Sequence, residues 1–73
     1  MLGYLILVGS ITNALKSKDI LEKNGIKGVV QKINNNKIGC GYCVYVLQNK
    51  TDEAIKLLVE NKIKIKGRFL KTD

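Results

Sequence analysis

From Leu2 to Val8 the chain runs Leu-Gly-Tyr-Leu-Ile-Leu-Val, apolar at odd and even positions alike. An extended segment with two apolar faces belongs at the centre of a sheet. After Gly9-Ser10 the spacing changes, and Ile11, Ala14, Leu15 and Leu21 fall on a rough helical stripe. Ser10 or Thr12 is placed to cap its start. Asn24-Gly25 predicts the helix end, the glycine supplying a left-handed residue past the last turn. Gly28 to Ile33 reads as a second strand and Asn34 to Lys37 as a polar loop. Gly41 to Leu47, rich in aromatic and β-branched residues, reads as a third strand.

Thr51 predicts a second helix start, with Asp52 and Glu53 in the first turn facing the positive end of the dipole. Ala54, Ile55 and Leu58 form its buried face, flanked by Leu57 and Val59. From Ile63 to Leu70, Ile63, Ile65 and Phe69 alternate with Lys62, Lys64, Lys66 and Arg68. That pattern predicts a fourth strand with one buried face and one wet, basic face. The order is βαββαβ. The segment Ile20 to Lys27 also echoes Leu57 to Lys64, each running from a helix end through asparagine into an Ile-x strand start. Two βαβ halves fold most economically as an α+β, ferredoxin-like sandwich: a four-stranded antiparallel sheet with both helices on one face.

The length of 73 residues leaves room for one domain, residues 1–73, near the lower limit for independent folding; a homodimer would add stability. A hydrophobic content of 45% with clear periodicity excludes disorder. The net charge of +7, from 13 basic and 6 acidic residues, favours an acidic partner such as nucleic acid, an acidic protein or an anionic ligand. The lysines are scattered along the whole chain, which favours a plain solvated surface. Histidine is absent, which removes the usual general base and the commonest nitrogen metal ligand. Met1 to Ile11 is too short to span a bilayer and lacks the basic start and cleavage site of an export signal, so no membrane association is expected. Two closely spaced cysteines without such a signal fit thiols in a reducing cytoplasm.

Gly39-Cys40-Gly41-Tyr42-Cys43 is the most chemically distinctive segment. One reading is a thiol that carries sulfur. Glycines on both sides of Cys40 remove side-chain cover, and Lys37 with the positive field would favour the thiolate. A second is a C-x-x-C redox pair, although such pairs usually precede a helix and Val44-Tyr45-Val46 favours a strand. A third is half of a metal site, which only a dimer would complete. The fourth is burial, which suits Cys43 within the strand better than Cys40 between glycines.

Gly39-x-Gly41 is no dinucleotide fingerprint, since the third glycine is missing and a strand follows. Gly9-Ser10 at a helix start would suit an anion, but more often forms a turn and a cap. A basic module for RNA or an acidic protein is the rival from another class. The element order is that of an RNA-recognition motif, and Ile6 to Ile11 and Gly39 to Tyr45 have the outline of its conserved strands. Leu7 and Cys40, however, stand where stacking rings belong, and Tyr42 and Tyr45 point to opposite faces.

Gly9-Ser10-Ile11-Thr12-Asn13-Ala14-Leu15-Lys16, the helix end Ile20 to Ile26, and Gly39-Cys40-Gly41-Tyr42 resemble the putative selenium/sulfur carrier protein-like family of small bacterial proteins. The resemblance covers nearly the whole chain, the second helix and last strand by pattern only. It implies a thiol-based carrier and not a turnover enzyme, with Cys40 as the matching cysteine, a cysteine desulfurase-like donor and an unknown acceptor as partners, and no cofactor. Gly41 would clear the surroundings of Cys40, and Ser10 with Thr12 would belong to the helix start. Cys43 lies outside the resemblance, which leaves the dithiol reading open. With the third strand starting near Gly41, Cys40 is expected exposed in the loop and Cys43 packed beside the core.

Overall fold

The computed structural model describes residues 2–35 and 39–72. Its elements are β1 (Leu2–Gly9), α1 (Ile11–Lys23), β2 (Val29–Asn35), β3 (Gly39–Leu47), a short 3-10 turn (Gln48–Lys50), α2 (Thr51–Glu60) and β4 (Gly67–Thr72). The four strands form one sheet in the order β2-β3-β1-β4, with every neighbouring pair antiparallel. This is a ferredoxin-like α+β fold, and the doubly apolar β1 lies inside the sheet as its sequence requires.

Both helices pack on one sheet face. Ile6 and Val8 of β1 and Val44 and Val46 of β3 meet Ala14 and Leu21 of α1 and Ala54 and Leu58 of α2. The buried face of α1 is narrower than the apolar stripe predicts: Ala14, Ser17 and Leu21 are buried, while Ile11 and Leu15 are exposed. Ser17 is accepted in the core because its hydroxyl donates to the Asn13 carbonyl at 2.7 Å, leaving no unpaired polar group.

The echo between the two halves is a shared helix-ending motif. Ile26 N–H donates to Leu21 O and Gly25 N–H to Glu22 O; Ile63 N–H donates to Leu58 O and Lys62 N–H to Val59 O. These paired bonds require a left-handed residue just past the cap. Gly25 supplies it at φ 77° and Lys62 at φ 62°. In both halves the asparagine side chain donates to the carbonyl four residues back, Asn24 to Ile20 and Asn61 to Leu57. The isoleucine that follows, Ile26 or Ile63, then turns into the core.

Two boundaries differ from the sequence expectation. Thr51 does not cap α2; it is the first helical residue, buried, and its hydroxyl donates to Leu47 O at 3.0 Å across the 3-10 turn. The last strand starts at Gly67 instead of Ile63, because the helix-ending motif occupies residues 61–63 and residues 63–66 form a connection outside the sheet. Lys64 and Lys66 are therefore exposed in that connection and not part of an alternating strand face. Arg68 is in β4 but faces the helices: its guanidinium is 3.2 Å from Asp52 and lies over the Tyr4 ring at 5.1 Å. The expected basic stripe is thus broken up.

The sheet face away from the helices carries Leu5, Leu7, Cys43, Tyr45 and Phe69. The Tyr45 ring lies directly against Gly3, where a β-carbon would collide with it. Above that ring, at 5.7 Å, is the Lys71 ammonium, which also donates to Gln31 Oε1 at 3.0 Å. Lys71 belongs to one edge strand and Gln31 to the other, so these two side chains meet across the central strands. Among the described residues no helix is long and apolar enough to cross a membrane.

Candidate thiol site

Cys40 is the second residue of β3, not a loop residue. Strand β2 extends through Asn34 and Asn35, which pair with Cys40 and Gly39 respectively. The predicted loop start thus belongs to the sheet. Lys37, expected to favour the thiolate, lies outside the described residues. Directly paired residues on neighbouring strands project to the same face, and here the Cys40 thiol donates to Asn34 Oδ1 at 3.0 Å. Cys40 remains exposed.

Cys43 has the opposite environment. An offset of three along a strand inverts the side-chain direction, so Cys43 projects to the face away from the helices. It sits between Gln31 of β2 and Leu7 of β1 and is fully buried. It is therefore buried, as expected, but on the far side of the sheet from the helix-packed core. Burial pushes its thiol up from 9.0 to about 11, because the charged form loses its hydration there.

Gly41 shares the face of Cys43, not of Cys40. An added β-carbon would come within 3.0 Å of Leu7 Cδ1 and 3.5 Å of Gly9 O, so Gly41 admits a close approach of β1 and does not uncover Cys40. Tyr42 turns to the helix side, half-buried against the core, with the Lys32 ammonium 6.0 Å from its ring centre.

Gly9-Ser10 adjoins this strand end. The β1–β3 register shifts between Leu7 and Gly9, and Gly9 takes φ 92°, a conformation that favours glycine. Ser10 caps α1, accepting from Asn13 N–H at 3.1 Å. The pair thus forms a turn and a cap, with the hydroxyl engaged. Lys66 N–H donates to Leu7 O at 2.8 Å, and its side chain lies against Gly9, with Nζ 3.1 Å from where a β-carbon would stand. Cys40, Gly41, Gly9, Ser10 and Lys66 therefore gather at one end of the sheet, while Arg68 is turned away towards Asp52.

Asn34 is the residue that sequence reasoning missed. Its polarity assigned it to the loop, whereas extending the hairpin by one pair beyond Ile33 and Gly41 would have placed it beside Cys40. The described residues contain no cluster of three or more histidine, cysteine, aspartate or glutamate side chains able to hold a metal. Among the described residues, the arrangement offers an accessible sulfur with an amide partner in Asn34, and a second sulfur withdrawn from solvent.

A search of curated proteins found no match to this chain. The family model for Putative Se/S carrier protein-like proteins matches residues 3–69. With nearly its whole length covered, the chain belongs to the Putative Se/S carrier protein-like family.

Proposed function

We propose that this protein is a sulfur or selenium carrier in which the Cys40 thiol holds the transferred atom as a persulfide-type adduct. The observation that carries the proposal is the contrast between the two cysteines: Cys40 is exposed and Cys43 is fully buried. A carrier needs an accessible nucleophilic sulfur and little other machinery. Its thiolate attacks the terminal sulfur of a donor persulfide, forming the Cys40 sulfur–sulfur bond and releasing the donor thiolate. The amide of Asn34 serves both states. Its Oδ1 accepts from the thiol, and after an amide rotation its Nδ2 donates to the thiolate or to the adduct.

A cysteine desulfurase-like protein in the cytoplasm is the proposed donor, and a separate protein the acceptor. Lys62 in the helix-ending turn and Lys64 and Lys66 in the connection lie at the same end as Cys40, which favours partners with acidic surroundings at their own reactive groups. An RNA-binding role draws less support, since the Tyr45 ring rests on Gly3 beneath Lys71 and Tyr42 faces the core. Neither offers a free platform for a base.

The test is intact mass under non-reducing conditions after incubation with a cysteine desulfurase and cysteine. Wild type should gain the mass of one or more sulfur atoms, and Cys40→Ser should gain none. Absence of any adduct with several donors would contradict the carrier reading.

A further inference from the structure

We infer that sulfur held on Cys40 leaves only in trans, to the thiolate of a second molecule, because Cys43 is walled off from it by the sheet itself. The inference rests on the carrier reading and concerns how the adduct is consumed. In a sequence of the C-x-x-C type, the second thiolate ordinarily attacks the first sulfur. Here that step would form a Cys40–Cys43 disulfide and expel the terminal sulfur as hydrosulfide, so the cargo would be lost to solvent.

Three features of this chain block that step. First, Cys40 and Cys43 lie three positions apart in one extended strand, so they face opposite sides with α-carbons separated by about 10 Å. A disulfide requires roughly 7 Å or less. Second, both positions are held in ladders: Cys40 pairs with Asn34, and Cys43 pairs with Gln31 on one side and Leu7 on the other. Folding β3 back would break pairing on an internal strand. Third, Cys43 is fully buried on its own face, beside the Gln31 side chain that accepts from Lys71.

The remaining route balances without an oxidant. An external thiolate attacks the terminal sulfur, a new sulfur–sulfur bond forms on the acceptor, and the Cys40 bond breaks to return its thiolate. The sulfur moves with its proton, and nothing is oxidised or reduced overall. Consumption of the adduct therefore belongs to transpersulfidation, with the acceptor supplying the nucleophile. Cys43 is a core residue that spares the cargo, and not a resolving thiol.

The experiment loads Cys40 with inorganic polysulfide, which bypasses any protein donor. After removal of the reagent, hydrosulfide release and intrachain disulfide are followed in wild type and Cys43→Ser, first alone and then with N-acetylcysteine. The expected result is equally slow release from both proteins, no Cys40–Cys43 disulfide in wild type, and prompt discharge of both by N-acetylcysteine with recovery of free Cys40. Release about tenfold faster in wild type than in Cys43→Ser, or an intrachain disulfide in wild type, would overturn the inference. The disulfide measurement needs no variant, so it stands even if Cys43→Ser folds poorly. Failure of polysulfide to modify Cys40 would also overturn it, because an accessible thiol is its premise. Polysulfide loading without loading by any desulfurase would instead contradict the carrier reading, while the trans route for an adduct on Cys40 would still stand.

Discussion

The reactivity of a cysteine depends on how readily its sulfur sheds a proton and on what can reach it. At Cys40 the sulfur is exposed and, among the described residues, donates to a neutral amide, Asn34. Replacing that amide by a carboxylate places a negative charge beside a sulfur that must itself become negative. Asn34→Asp should therefore shift the pH profile of Cys40 alkylation to higher pH, while Asn34→Ala changes it less. Identical profiles for wild type and Asn34→Asp would show that Asn34 does not touch the working sulfur. Cys43 makes a separate prediction. Its folded-state value is raised to about 11, so between pH 9 and 11 the folded protein keeps a proton that the unfolded chain has lost. The stabilising effect of the neutral buried thiol is complete below the unfolded value, and fades as pH rises through the folded one. Urea melts across that range should show wild type losing more stability than Cys43→Ala, and parallel losses would contradict this assignment.

At the scale of elements, the two helix ends are the same device built with different residues. Lysine in the left-handed conformation carries a steric cost that glycine avoids. Lys62→Gly should accordingly leave stability unchanged or raise it by up to about 1 kcal/mol, whereas Gly25→Ala should lower it by about 1 kcal/mol. Urea melts of the two variants check this, and a clear loss with Lys62→Gly would mean that its side chain has a packing role. The asparagine and isoleucine of both motifs were legible in the sequence, as were the element order and the central position of β1. What escaped had physical reasons. Ile63 and Ile65 alternate with lysines as a strand would, but the helix-ending motif claims residue 63 and delays β4 to Gly67. Asn34 and Asn35 have turn chemistry, yet the hairpin ladder overrides it and draws both, with Cys40, into the sheet. Ser17 is polar and still buried, because the hydrogen bond that satisfies it is made within its own helix.

For the whole molecule, one helical layer against one sheet concentrates stability in a few fully buried side chains. Leu58 is among them, and Leu58→Ala should cost roughly 2–5 kcal/mol, a large share for a domain of this size. Lys56→Ala, on the exposed side of the same helix, should cost little, and equal urea midpoints for the two variants would refute the packing of α2. Charge is unevenly placed as well. Asp19 and Glu22 lie in the second half of α1 and Asp52 and Glu53 in the first turn of α2, which the topology puts at the end away from Cys40. Lys62, Lys64 and Lys66 lie at the Cys40 end with Glu60 at the close of α2, whereas at the other end Asp19 pairs with Lys23 and Glu22 with Lys18. Binding of RNA to this basic end should be weak and fall steeply with salt as counterions are released. A salt-resistant, sequence-selective complex would favour the binding-module reading. The central claim, that Cys40 is the carrier, is tested most directly by locating the transferred sulfur within the wild-type chain. After loading by a desulfurase and cysteine, the folded protein is blocked with an alkylating reagent, digested and mapped by mass spectrometry. The adduct should be found on the peptide sulfur of Cys40, with Cys43 unmodified until the chain is unfolded; sulfur found on Cys43, or on neither cysteine, would contradict the account.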